Sequence, residues 1–203
     1  TYKDNPFLDK SIVEEIERLA TTDEDYWRIY GLGERGMSRA TIFQFGNAEV
    51  PKEASLLAYG MDFGYTNDPS ALVAVYTHGD NLYLDELLYR TGMTNRDLHH
   101  HLQSLGLDRR DEIFADSSEP KSIDEIKRYG KTIKGVTKGK DSINYGIDVM
   151  QQQEYLVTSQ STNLIKELRA YCWDVDKQGT RLNKPIDTNN HAIDALRYHE
   201  MET

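Results

Sequence analysis

The sequence predicts an α/β domain with a mixed sheet of about five strands flanked by helices, preceded by an arm. Two apolar runs of strand length, SLLAYGMDFGY at 55–65 and ALVAVYTHG at 71–79, are separated by the turn sequence Thr66-Asn67-Asp68-Pro69-Ser70. Gly79-Asp80 leads directly into NLYLDELLYR at 81–90, so the first three strands are hairpin-linked. Beyond residue 93 helical and strand patterns alternate, as crossover connections require.

Each element has a local reason. Residues 8–20, LDKSIVEEIERLA, put Leu8, Ile12, Ile16 and Leu19 on one helical face, with Asp9 or Ser11 as cap. Residues 21–50 are punctuated by Gly31, Gly33, Gly36 and Gly46, so 1–53 reads as a linker or arm and 54–203 as the domain. The first strand is apolar at nearly every position before Asp62, which suits a central strand buried on both faces. A helix is expected over 94–105 with Thr94 as cap, a fourth strand over 112–118, a helix over 121–129 and a fifth strand over 132–139. The next helix, 142–153, should turn Ile143, Ile147 and Met150 inward. A short strand at 155–158, a helix over 161–171, a hairpin around Gln178-Gly179 and a final helix over 189–201, capped by Asp187 or Thr188, complete the chain.

Composition narrows the function classes. The chain has 203 residues, 38% of them hydrophobic and 29% charged, which fits a folded domain. No apolar run approaches a membrane span, and the first residues do not resemble a secretory signal. Cys172 is the single cysteine, which excludes an internal disulfide and a cysteine-rich zinc site. The formal net charge of -10 argues against a simple nucleic-acid coat. That charge is uneven: residues 61–120 carry 4 basic and 11 acidic side chains, whereas 121–140 carry 7 and 2. An acidic cluster beside a basic strip is an arrangement that metal-dependent phosphodiester chemistry uses; a solvated helix face followed by a charged loop gives the same pattern.

Three acids stand out. Asp62 interrupts an apolar strand, Asp116 closes the fourth strand, and Asp194 lies in the final helix. A carboxylate in an apolar strand is costly unless paired or bound to a cation, and hard oxygen donors suit Mg²⁺ or Mn²⁺. His191 precedes Asp194 by three residues and shares its helical face, while Arg197 continues that face as an ion-pair partner. Lys138 and Lys140, around Gly139, are placed to contact phosphates. Asp68 fits an Asx-turn before Pro69, and Glu86 shares a strand face with Leu82, Leu84 and Leu88. The consecutive His99, His100 and His101 cannot share one helical face, which speaks against zinc. Ser117, His191 and Asp194 lack a nucleophile elbow.

The segments GMDFGYTNDPSAL at 60–72, ADSSEPKSI at 115–123, VTKGKDSINYGI at 136–147 and NHAIDALRY at 190–198 resemble the C-terminal nuclease domain of the large terminase subunit of tailed bacteriophages. The resemblance covers about residues 55–200, and TYKDNPFL at 1–8 is similar to the end of the preceding ATPase domain. It implies a ribonuclease H-like fold and a metal-dependent endonuclease cutting concatemeric double-stranded DNA, with two Mg²⁺ or Mn²⁺ ions. It implies Asp62, Asp116 and Asp194 as metal ligands, His191 as an auxiliary catalytic residue, and Lys138 and Lys140 beside DNA. The implied partners are double-stranded DNA, a portal protein, a small terminase subunit and an N-terminal ATPase domain, in the host cytoplasm at the procapsid portal. A P-loop sequence G-x-x-x-x-G-K-[ST] is absent, so ATPase activity is expected in a region preceding this one. Two other readings stay open: an actin- or sugar-kinase-like ATPase, since DFGYT at 62–66 fits a phosphate-binding hairpin, and a catalytically silent DNA-docking module.

Overall fold

The structure, a computed structural model, describes residues 41–176 and 180–202 and, before them, positions 2, 8, 12–14, 16–18, 27, 31 and 32. It divides into two compact units, Thr1–Thr41 and Ile42–Thr203. In the first, residues 12–14 and 16–18 are helical, as the periodicity predicts. The Tyr2 hydroxyl donates to Glu17 at 3.1 Å, and the Tyr2 ring lies 6.0 Å from that of Trp27. Ile12 is 47% exposed, so the apolar stripe is not buried there. Leu19, Asp9 and Ser11 lie outside the described residues.

The second unit carries strands β1 (Phe45–Asn47), β2 (Ser55–Asp62), β3 (Ser70–His78), β4 (Asn81–Arg90), β5 (Glu112–Asp116), β6 (Thr132–Val136) and β7 (Tyr155–Val157) in one sheet. Their spatial order is β1-β7-β4-β3-β2-β5-β6. β2, β3 and β4 pair antiparallel, and every other neighbouring pair is parallel. Six of the seven strands, β2 to β7, are the expected ones. β7 and β1 extend the sheet beyond β4. β1 escapes sequence reading because three residues, FGN, carry no alternation. Its pairing with β7, and the burial of Ile42 and Phe43 in the core, place these residues in the second compact unit.

Five helices follow in chain order: α1 (Asn95–Ser104), α2 (Pro120–Arg128), α3 (Ser142–Met150), α4 (Thr162–Ala170) and α5 (His191–Glu200). β8 (Trp173–Val175) and β9 (Arg181–Pro185) form a separate two-stranded ribbon, and its expected tip at Gln178-Gly179 lies outside the described residues. Thr94 caps α1 in a full capping box with Asp97. Both sheet faces are covered. Ala71, Val73 and Val75 of β3 pack with α3, α4 and α5, while Leu72 and Ala74 pack with α1 and α2. Burying each such branched side chain contributes roughly 1.5–3 kcal/mol, which outweighs helix propensity in deciding where the helices sit.

Three local expectations need correcting. Only the later turns of α3 meet the core, so Ile147 and Met150 are buried but Ile143 is 47% exposed. A register shift opposite Leu72 and Val73 bulges β4 at Leu87, which leaves Glu86 on the face of Leu84 and turns Leu88 to the opposite one. Neither Asp187 nor Thr188 caps α5: Asn189 adopts φ 50°, the N-cap is Asn190, and its side chain makes no capping bond.

Candidate functional site

Asp62 is the last residue of β2 and Asp116 the last of β5. The parallel register sets Met61 opposite Ala115, so both carboxylates leave the same end of the sheet on neighbouring strands. The third acid arrives on α5, which lies against β2 at Gly60. A Cβ on Gly60 would stand 1.9 Å from the Ala195 carbonyl oxygen, so only glycine permits this approach. Asp194 and His191, within the first turn or so of α5, are thereby brought to Asp62.

His191 Nδ1 lies 3.1 Å from Asp62 Oδ2, and its Nε2 lies 3.6 Å from Asp68 Oδ1. Asp68 comes within reach because the loop folds on itself. The buried Ser70 hydroxyl donates to the Gly64 carbonyl at 2.8 Å and accepts from the Gly64 amide at 3.2 Å. On the other side Lys138 Nζ reaches Asp116 Oδ2 at 2.5 Å and the Tyr198 hydroxyl at 3.1 Å, and the Ser118 amide donates to Asp116 Oδ1 at 2.8 Å. Arg197 donates to Asp194 through Nη2 at 2.9 Å and Nε at 3.3 Å, the ion pair expected of it.

The electrostatics follow from these contacts. Burial raises the Asp62 carboxyl above its ordinary value; the His191 hydrogen bond opposes that rise, while the charges of Asp194 and Asp116 add to it. The hydrogen bond to Asp62 in turn raises the His191 imidazole, against its burial. Burial also pushes Asp116 upward, but the bonds from Lys138 and Ser118 together outweigh it and leave that carboxyl lowered.

The sequence-predicted residues Asp62, Asp116, Asp194, His191 and Lys138 therefore gather at one sheet end. Lys140 is exposed in the turn before α3, and among the described residues it is Lys138 that reaches the acids. Two residues were missed. Tyr198 donates to Asp116 Oδ2 at 3.3 Å, and its spacing of four from Asp194 was the available signal. Glu167 is 2% exposed and binds the start of α5. Its signal was a carboxylate set between Leu164 and Leu168 on the buried face of α4.

Among the described residues no group of three or more His, Cys, Asp or Glu side chains is already assembled to hold a metal ion. Each acid instead faces a basic side chain: His191, Lys138 or Arg197. The donors nonetheless suit a hard divalent cation in kind, being carboxylate oxygens, and Asp62 remains raised by burial and, to a lesser degree, by its acidic neighbours despite His191.

A mixed sheet of this order, with acids at the ends of its central strands and on a helix laid across them, is a ribonuclease H-like nuclease scaffold. The model of the terminase RNase H-like domain matches residues 62–199, and that of the phage terminase large subunit matches residues 1–34. The chain belongs to the terminase RNase H-like domain family. It is 32% identical over 213 residues to the large terminase subunit of Bacillus phage SPP1, covering 98% of this chain and 50% of that protein. It is 28% identical over 210 residues to the PBSX phage terminase large subunit of Bacillus subtilis, covering 98% and 48%. The chain thus spans about half the length of these relatives. The crystal structure of the SPP1 large terminase nuclease domain with bound Mn superposes with a TM-score of 0.67 at 28% identity, over 76% of this chain and 93% of that one.

Proposed function

We propose that this chain is the nuclease part of a large terminase and hydrolyses phosphodiester bonds of concatemeric viral double-stranded DNA during packaging, with two divalent ions, Mg²⁺ or Mn²⁺. The observation that carries the reading is the convergence of Asp62, Asp116 and Asp194 at one sheet end, within the segment matched by the terminase nuclease family. Asp62, Asp116 and Asp194 would hold the ions. Bound there, such ions polarise the scissile phosphate and acidify the attacking water.

The chain's own residues do the rest. His191 orients the Asp62 carboxylate through Nδ1 and presents Nε2 toward Asp68, where it holds or passes a proton. Lys138 Nζ, on Asp116, is set to steady a phosphate oxygen of the cut strand, and Lys140 adds charge in the following turn. Arg197, itself buried, aims the Asp194 carboxylate through their ion pair.

The SPP1 nuclease domain with bound Mn supports the choice of metal. An N-terminal ATPase domain of the same polypeptide, the portal protein and the small terminase subunit are the proposed partners, at the procapsid portal in the host cytoplasm. Among the described residues no helix is long and apolar enough to cross a membrane. A cleft of about 650 Å³ beside Asp68 sets Asp68, Glu119 and Glu125 against Arg96, which is poor lining for a nucleoside triphosphate and weighs against an ATPase.

Supercoiled plasmid incubated with Mn²⁺ or Mg²⁺ tests the reading. Nicking that EDTA abolishes, and that Asp62→Ala and Asp194→Ala lose while remaining folded, is expected. Robust cutting by either variant contradicts it. A wild-type chain that binds duplex DNA but never cuts it is a docking module instead.

A further inference from the structure

Glu167 binds no described basic side chain, yet both of its oxygens are fully used. Oε1 accepts from the Tyr89 hydroxyl at 2.7 Å and the His191 amide at 3.1 Å; Oε2 accepts from the Ala192 amide at 2.8 Å and the Ile193 amide at 3.1 Å. Three of the four amides that any helix leaves open at its start are thus closed by one carboxylate from another helix. A residue at the cap position ordinarily does this, but Asn190 makes no such bond. A local cap tolerates movement of the whole helix. A cap reaching over from α4 does not, because it ties the start of α5 to α4.

α4 is itself fixed in the same manner. Glu86 of β4 accepts from the Leu164 amide and the Asn163 side chain, each at 2.6 Å. The order of support is therefore sheet, Glu86, α4, Glu167, α5. The middle of α5 is set by its contact with Gly60, so Glu167 supplies the second fixed point that defines the helix axis. Tyr89 joins the two layers: its hydroxyl bonds Glu167, and its ring meets the His191 ring edge-on at 6.4 Å.

We propose that Glu167 is the positioning residue of this site: by fixing the first turn of α5 it holds the His191 ring on Asp62 and Asp194 beside it. The inference rests on the reading of this site as a divalent-cation nuclease centre. Glu167 does not touch substrate in this role. It acts through His191 and Asp194, as supporting groups of metal sites do.

The test compares Glu167→Ala, Glu167→Gln and Tyr89→Phe in the full chain with Leu102→Ala, a destabilised control on the opposite sheet face. Mn²⁺ affinity is measured by calorimetry below the unfolding temperature, and the metal-free His191 ring is followed by its imidazole nitrogen resonances. Glu167→Ala is expected to lose about 10- to 100-fold in Mn²⁺ affinity and in cleavage per folded molecule. Glu167→Gln should recover only part of this: its carbonyl still accepts from Ala192 and Ile193, but its amide nitrogen cannot accept from the His191 amide. Tyr89→Phe, which leaves the carboxylate in place, should lose only a few-fold, and it carries the test if Glu167→Ala does not fold. Leu102→Ala should match wild type once folded. The His191 resonances should show the Asp62 bond in wild type and its loss in Glu167→Ala.

Wild-type affinity and an intact His191–Asp62 bond in Glu167→Ala make Glu167 an ordinary structural cap and overturn the proposal. Absence of Mn²⁺ binding in wild type overturns the nuclease reading instead, and the metal-free resonances still decide the positioning role.

Discussion

Asp62 and Asp116 end neighbouring parallel strands at the same edge of one sheet, yet their carboxyls are displaced in opposite directions. Around Asp62 burial and two acidic neighbours exceed what His191 offsets. Around Asp116 burial raises the carboxyl too, but the bonds from the Lys138 ammonium and from Ser118 exceed that cost. The lesson is that the acidic cluster is not uniform. One corner stays raised although His191 is bonded to its carboxylate; the other is held low by a cation of the protein itself, Lys138.

The widest break of this comparison is Gly60→Ala. A methyl group there collides with the Ala195 carbonyl, so α5 must lift and carry Asp194 and His191 away from Asp62; the Asp116 corner loses the Tyr198 hydroxyl with it but keeps Lys138 and Ser118. A cost of about 1–3 kcal/mol or more in denaturant titration is expected, with Mn²⁺ binding lost in the folded fraction. Unchanged Mn²⁺ binding in this variant would mean that α5 does not build the site.

Lys138→Ala acts on the other corner and by less. Its ion pair with Asp116 is partly exposed, so at neutral pH the loss of stability should stay within about 1 kcal/mol. Duplex DNA binding should weaken across sequences, and the salt slope should fall by about 1. An unchanged slope would remove Lys138 from the DNA contacts.

The smallest effect is on the pH dependence of stability in chelator, where the two corners should fail at opposite ends. Asp116, lowered from 3.8, contributes stability that is present above that value and is lost as pH falls through the folded one. His191, raised from 6.5, contributes stability that is complete below that value and is lost as pH rises through the folded one. His191→Gln should therefore flatten only the neutral-to-alkaline side of the profile, read by denaturant titration at successive pH values. A profile that still declines equally there would dissociate His191 from Asp62.

The hairpin-linked strands β2 to β4 and the alternation after them were legible because each strand is long and apolar enough to show its period. The Thr94 cap and the three acids were legible because each is a local pattern: a threonine just ahead of a helical period, or a carboxylate where apolar residues belong. β1 was not legible, because only its pairing with β7 makes a strand of Phe45–Asn47. Nor was the bulge at Leu87, which moved Leu88 across the sheet without any change in the alternation around it. Glu167 was hidden for the same reason: its partners lie on α5 and β4, far away in the sequence.

The central claim is that Asp62 anchors a divalent-cation site, and calorimetric titration of Mn²⁺ into wild type and Asp62→Asn tests it most directly. The prediction is saturable binding to wild type and a loss of roughly a hundredfold or more in Asp62→Asn, with the fold retained by circular dichroism. Equal Mn²⁺ affinity in the two proteins would contradict the account.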